Sequence, residues 1–292
     1  MLRSVKNLEG YAIHATDGII GHVEDFYFDD TAWVIRYLVV DTGEWLSGRR
    51  VLISPMSIGK PNWPERSLNV ALTKKQVMNS PDIDTKKPVS RQQEINQLAH
   101  YGYPFYWGGP GAWGWGAYPD LMMAGAGPDA TNAEYQSAQA REVRAMVEEQ
   151  KNRHEDPHQR SCREVLNYHI DAIDGDIGHV QGFLFDDQSW SIRYLVVDTN
   201  NWWLDHEVLV APQWIGDVSW LDATVSVNLT RQAVKEAPPY DSTTQLDREQ
   251  ESDIYLHYGR TGYWATEAER DAPVPHRQKA PDGIAELHGK TR

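Results

Sequence analysis

The chain holds a single cysteine, Cys162, in 292 residues, so no internal disulfide can form and a reducing, cytoplasmic compartment is the expected setting. Long apolar runs are missing as well. None approaches the ~20 residues that cross a bilayer, and no apolar stretch follows Met1-Leu2-Arg3-Ser4-Val5-Lys6, which predicts no secretory signal. No nucleophile elbow, phosphate-binding loop or dinucleotide fingerprint occurs, and no His/Cys set has metal-ligand spacing. These gaps predict a protein that is not an enzyme, with no catalytic residue, no cofactor and no metal ligand. Basic residues are scarce in one region: residues 161–264 carry 6 basic against 17 acidic side chains, whereas residues 1–107 carry 12 of each. With a net charge of −14 the chain repels phosphate backbones, so no direct nucleic-acid partner is expected. The acidity serves solubility, or steers the second region towards a basic protein surface.

What the chain has is a repeat. Asp17-Gly18-Ile19-Ile20-Gly21-His22-Val23 returns as Asp174-Gly175-Asp176-Ile177-Gly178-His179-Val180, and the segment Trp33 to Thr42 returns as Trp190 to Thr199. Matched positions lie 157 apart without a gap from Ser4/Ser161 to Trp107/Trp264, and roughly two in five are identical. A unit of this length is too long for a solenoid repeat and predicts a small domain with its own core. The expected organisation is a first copy with an aromatic appendix over 1–107, a linker over 108–160, a second copy with its appendix over 161–264, and a disordered tail over 265–292.

Each copy reads as short strands broken by turns. Asp17-Gly18 and Asp174-Gly175 predict hairpin turns, and Phe26/Phe28 with Phe183/Phe185 share an inward face by period two. In the strand from Val34 to Asp41, alternation places Ile35, Tyr37 and Val39 on one face and Val34, Arg36, Leu38 and Val40 on the other. Apolar residues on both faces predict cover on both sides, except that Ser191, opposite Val34 in the alignment, predicts a wet end in copy two. Strands at Val51–Ile53 and Val208–Val210 end at Pro55 and Pro212, which cannot donate to a ladder. Further strands at Leu68–Leu72 and Val225–Leu229 lead to short helices that Thr73 and Thr230 can cap, Gln76 completing a capping box in the first copy alone. Ser90 with Gln93, and Asp247 with Gln250, predict capped helices in the appendices. Between the copies a Gly/Trp-rich stretch precedes a weakly amphipathic helix expected over 131–151, with Tyr135, Val143, Met146 and Val147 on one face.

In its order and spacing this pattern resembles the PRC-barrel family, which includes the cytoplasmic domain of the photosynthetic reaction-centre H subunit and the C-terminal domain of ribosome-maturation factors. The resemblance rests on Gly18/Gly21 and Gly175/Gly178, the following Val23 and Val180, the strands Ile35–Val40 and Ile192–Val197, the Val51–Pro55 segment, and the helix ending near Pro81 or Pro238. It covers about residues 4–82 and 161–239, and the chain lacks the membrane helix of the first relative and the separate N-terminal domain of the second. The resemblance implies a mainly β fold: two tandem small barrels, each closed or nearly closed from about six short strands. It implies a contact module and no chemistry.

Several recurrent residues are candidates for chemistry. His22/His179 with Asp17/Asp174 suggest a metal or proton site, against a simpler reading in which each Asp bonds its own turn and the His packs beside it. Asp29-Asp30 and Asp186-Asp187 are paired carboxylates at a turn, where solvation is expected in preference to acid–base work. His100-Tyr101 and His257-Tyr258 sit with Tyr103, Phe105, Tyr106 and Trp107 in an aromatic cluster that either folds back on its barrel or binds a partner; Trp113 and Trp115 are harder to bury and are candidates for docking. Arg36 and Arg193 predict ion pairs with nearby carboxylates at a barrel rim, and Cys162 a small buried hydrophobe.

The expected function is that of a soluble, non-enzymatic interaction or scaffold protein in which two barrels pack as a pseudo-dimer against an unnamed protein partner. Homo-oligomerisation is compatible with this. One alternative is small-ligand or metal binding in an inter-barrel cleft lined by Trp45, Trp202, Trp203, Trp214 and the paired histidines. Another is an accessory subunit peripheral to a membrane or electron-transfer complex, held there by a protein because the acidic charge opposes anionic lipid.

Overall fold

The computed structural model describes residues 1–84, 89–107, 111–114, 116–120, 158–199 and 206–265. The helix expected over 131–151, the tail from 266, and Trp115, Trp202 and Trp203 lie outside the described residues.

The fold is mainly β. The first half runs β1 (Leu2–Ser4), α1 (Val5–Leu8), β2 (Ala12–Ala15), β3 (Gly18–Asp29), β4 (Val34–Asp41), β5 (Arg50–Ile53), β6 (Ser67–Asn69), α2 (Lys74–Met78) and α3 (Arg91–Tyr101). The second half runs β7 (Gln159–Ser161), α4 (Cys162–Val165), β8 (His169–Ala172), β9 (Gly175–Asp186), β10 (Ile192–Asp198), β11 (Glu207–Val210), β12 (Ile215–Ser219), β13 (Thr224–Val227), α5 (Arg231–Lys235) and α6 (Arg248–His257). The capping boxes at Thr73/Gln76, Ser90/Gln93 and Asp247/Gln250 form, and Thr230 caps alone. Strand order is β5-β4-β3-β2-β6 in one sheet and β11-β10-β9-β8-β13-β12 in the other. Among the described residues no ladder joins the end strands of either sheet, so the expected barrel closure is not found. The reason is local: after β5 and β11 the chain enters 3-10 turns at Pro55–Ser57 and Pro212–Trp214, where proline has no N–H to extend a ladder. Beyond the first of these turns two isolated bridges, Ile58 to Val70 and Asn62 to Ser67, lead back towards the β6 side.

The first strand of each half belongs to the other half's sheet. β1 pairs antiparallel with β9 (Leu2 opposite Asp186, Arg3 opposite Phe185, Ser4 opposite Leu184), and β7 pairs with β3 in the matching register (Gln159 opposite Asp29, Arg160 opposite Phe28, Ser161 opposite Tyr27). β7 therefore spans the boundary expected at 160/161. The halves also meet directly. The Ile35 N–H donates to the Trp190 carbonyl at 2.8 Å, and the Ile192 N–H to the Trp33 carbonyl at 2.7 Å. Trp33 and Trp190 hold positive φ, 54° and 59°, a strained setting for a bulky side chain that turns each carbonyl towards the opposite half. Among the described residues the two halves share their main core. One apolar cluster runs through both halves, with the Phe28 and Phe183 ring centroids 5.9 Å apart.

Two local features depart from simple alternation. Gly21 and Gly178 cross so close to the neighbouring strand that an added Cβ would lie 2.0 Å from the Asp41 or Asp198 carbonyl oxygen. In β4 the ladder passes from Tyr37 opposite Tyr27 to Ile35 opposite Phe28, leaving Arg36 as the extra residue of a bulge; Arg193 is the extra residue in β10. The bulge places Ile35 in one cluster with Leu38 and Val40, and leaves Tyr37 and Val39 in a smaller cluster with Tyr27, Leu52, Ile83 and Val89. The faces expected from strict alternation are thus corrected at this point. Ser191 is likewise not wet: it is buried opposite Val34, with which it forms a bridge.

Candidate functional site

The bulges aim two arginines inward, and around each the appendix builds a knot of charge and rings. Arg36, 3 % exposed, donates from Nη1 to the Ala112 carbonyl at 2.6 Å and from Nη2 to Asp29 Oδ2 at 3.5 Å. Its guanidinium lies 3.8 Å from the Tyr106 ring centroid and 4.8 Å from that of Trp113, within cation–π range. Burial lowers its pKa to about 10, against the pull of Asp29 and Glu94. Glu94 in α3 is buried with Arg91 Nη1 at 2.8 Å, and it accepts from Gln159 Nε2 at 3.1 Å. Burial outweighs the attraction of Arg91 and raises the Glu94 pKa to about 8. Gln159 belongs to the exchanged strand β7 and also donates to the Tyr106 hydroxyl at 3.0 Å, so the exchange and the appendix are tied through one side chain.

The second knot repeats the plan with different partners. Arg193 lies 4.0 Å over the Tyr263 ring and 3.7 Å from Asp186 Oδ2. Buried Glu251 accepts from the hydroxyls of Tyr194 and Tyr263, each at 2.9 Å, and pairs with Arg248 at 3.2 Å. Leu2 stands where the first knot has Gln159, and the Tyr194 hydroxyl serves Glu251 in its place.

The exchanged strands carry their own clamps. Arg3 in β1 stacks 3.5 Å over Trp63 of its own half and donates from Nε to Asp187 Oδ2 of the other at 2.7 Å. Arg160 in β7 stacks 4.3 Å over Trp220 and reaches Asp30 Oδ2 at 3.1 Å. The Met1 amino group adds pairs to Asp187 at 2.8 Å and Asp186 at 3.3 Å. Such partly buried pairs fix how the two halves sit together.

Several sequence-derived candidates take other roles. Asp17 and Asp174 do not bond their own turns; each accepts at 2.7 Å from the first N–H of a short helix, at Lys74 or Arg231. His22 is exposed, His179 faces Asp198 at 3.6 Å, and no group of three potential ligands occurs among the described residues. Asp29 and Asp186 are not simply solvated: Asp29 accepts from the Thr31 and Ala32 N–H groups, and all four paired carboxylates face arginine or an amino terminus. His100 and His257 bond the Gln76 and Ala233 carbonyls at 2.9 and 2.7 Å, tying each appendix helix to the short helix before it. The appendix rings fold back, with Tyr103 and Tyr106 buried, and Trp113 is fully buried with its indole N–H donating to the Ser189 carbonyl of the other half at 2.7 Å. Arg36 sits deep in its half, not at a rim. Cys162 is buried, and burial pushes its thiol pKa well up.

A cavity of about 800 Å³ does lie where the halves meet, but not with the expected lining. Trp33, Arg193, Asp217, Trp220, Tyr255 and Tyr263 contribute to it; Trp45, Trp214 and the paired histidines do not. The Trp45 indole N–H instead bonds the Ile20 carbonyl, and Trp214 is buried against Tyr255 and Tyr258. The sequence signal missed here was the pair of bulges. Arg-Tyr inside an otherwise apolar strand, recurring in both copies, was the only hint of them.

The family model of the PRC-barrel domain matches residues 2–62, from β1 through the segment after β5, and this part of the chain is similar to that family. A search of curated proteins returns no match.

Proposed function

We propose that this chain is a non-enzymatic interaction or scaffold protein, two PRC-type barrels fixed as an intramolecular pseudo-dimer that presents one neutral and one acidic half to a protein partner. The observation that carries this reading is the reciprocal strand exchange, β1 onto β9 and β7 onto β3, locked by Arg3–Asp187 and Arg160–Asp30. Charged groups are spent on joining the halves, and Glu94, at 1 % exposure, is sealed from any substrate. No helix among the described residues is long and apolar enough to cross a membrane.

The test is retention of a partner from host extract on the immobilised full chain. Retention should weaken with added salt, because exposed charges are screened over ~10 Å at 0.1 M. It should also weaken when exposed Asp222, Asp241 and Asp253 are changed to Asn. Salt-independent retention, or a metabolite or metal that raises the melting temperature and is turned over, would remove the reading.

A further inference from the structure

The cavity of about 800 Å³ has a twin of about 610 Å³. Pro55, Gly59, Lys60 and Trp190 line the twin; their counterparts 157 positions away, Pro212, Gly216, Asp217 and Trp33, line the larger one. The two are one groove present twice about the pseudo-two-fold axis. In the twin part of the chain's own segment 111–120 is seated: Tyr118, Pro119 and Asp120 form part of its wall. At the inner end of that segment the Ala112 carbonyl meets Arg36, and the Trp113 indole donates across to the Ser189 carbonyl.

This seat has strict requirements. The backbone doubles back through bridges from Gly111 to Gly114 and from Trp113 to Gly116. A Cβ on Gly111 would lie 2.4 Å from the Gly116 carbonyl oxygen, and Gly114 holds a φ of 68°. A tryptophan between small residues is what fits. The same receiving groups recur in the larger groove, whose lining includes Arg193, Tyr263 and Ala32, the counterparts of Arg36, Tyr106 and Ser189. One charge is reversed. Lys60 and Asp120 both line the twin, whereas Asp217 stands in the place of Lys60 in the larger groove. Residues 266–292 contain no Trp, Tyr or Phe, so the segment that follows the second appendix cannot supply the ring.

Resting on the interaction reading above, we infer that the groove at Arg193, Tyr263 and Asp217 is a docking site for a partner's peptide that carries a tryptophan between glycine or alanine residues and a basic residue about seven positions further on, the spacing of Trp113 and Asp120. The indole N–H then meets the Ala32 carbonyl, the ring stacks in the aromatic wall, and the basic residue faces Asp217.

The test uses the full chain and fluorescent peptides in an anisotropy titration. The first probe copies residues 111–120 with the final Asp changed to Lys, the second keeps the Asp, and the third replaces the first Trp of the Lys probe by Ala. The Lys probe should bind at least ~5-fold tighter than the Asp probe at low salt, and the Ala probe should lose ~10-fold or more, as a buried aromatic anchor does. Asp217→Lys should reverse the preference between the two charged probes. Absence of saturable binding, indifference to the Trp, or an unchanged preference in Asp217→Lys each overturns the inference. So does a ~10-fold gain in affinity for a chain ending at 265, which makes the tail the occupant, or concentration-dependent dimerisation that the probe reverses, which makes it a second copy. The Asp222, Asp241 and Asp253 residues of the retention test lie outside this groove. Retained partner without probe binding therefore removes the groove alone, and probe binding without a salt-sensitive partner removes the scaffold reading alone.

Discussion

Val34 and Ser191, counterparts in the repeat, pair directly with each other across an antiparallel bridge. A residue that meets its own counterpart marks the axis relating the two halves, and the bonds on either side of it are reciprocal, Ile35 to Trp190 and Ile192 to Trp33. The strand exchange, the arginine clamps and the twin grooves are all arranged about that point. Strand exchange and backbone bonding thus join the two halves reciprocally within one chain.

Trp113 joins the first knot to the second half. Trp113→Ala should lower the unfolding free energy by about 3 kcal/mol or more, the usual cost of deleting a buried tryptophan. Trp113→Phe should recover most of that and still lack ~1 kcal/mol for the hydrogen bond to Ser189. Urea unfolding of the three proteins measures both. A Trp113→Ala chain as stable as the parent would place this side chain outside the interface.

Gly21 and Gly178 are close-approach glycines. Gly21→Ala or Gly178→Ala drives a methyl against a backbone carbonyl and should cost about 3 kcal/mol, the upper end of overpacking effects. Gly59, where an added Cβ would come no nearer than 3.6 Å to the Asn69 carbonyl oxygen, serves as the control. Gly59→Ala should stay within ~0.5 kcal/mol. Thermal melts rank the three, and equal effects would contradict the geometry.

Glu94 gives the fold a pH dependence of definite sign. Folding raises its pKa from an ordinary 4.5 to about 8, so between those values the folded chain holds a proton that the unfolded chain releases. Stability from this site is therefore full below pH ~4.5 and is lost as pH rises towards 8. Glu94→Gln should flatten the fall in urea midpoint between pH 5 and 8. Parallel profiles for parent and variant would contradict it.

Much of the fold was legible because it rests on short-range rules. The capping boxes at Thr73, Ser90 and Asp247, the buried Phe26 and Phe28, and the strand stops before Pro55 and Pro212 all follow from residues within a few positions of each other. The exchange did not show, because Leu2–Ser4 can pair with Tyr27–Asp29 or with Leu184–Asp186 on equal local terms, and the choice is made by clamps such as Arg3 to Asp187 that lie far apart in sequence. The candidate site was less legible still. A one-residue bulge at Arg36 takes Ile35 away from Tyr37 and Val39 and into the cluster of Leu38 and Val40, and alternation alone cannot register that. The cleft expected from Trp45 and Trp214 failed for a simpler reason: each finds its partner inside its own half.

The exchange itself is tested most directly by cross-linking in a Cys162→Ala background. Ser4→Cys with Leu184→Cys places two thiols on directly opposed positions of β1 and β9, and Ser4→Cys with Tyr27→Cys places them where an unexchanged strand would bring them together. Under mild oxidation the first pair should close within one chain and the second should remain reduced, as read by mobility on a non-reducing gel and by peptide mapping. Closure of the 4–27 pair, or a 4–184 bond found only between separate chains, would contradict the account.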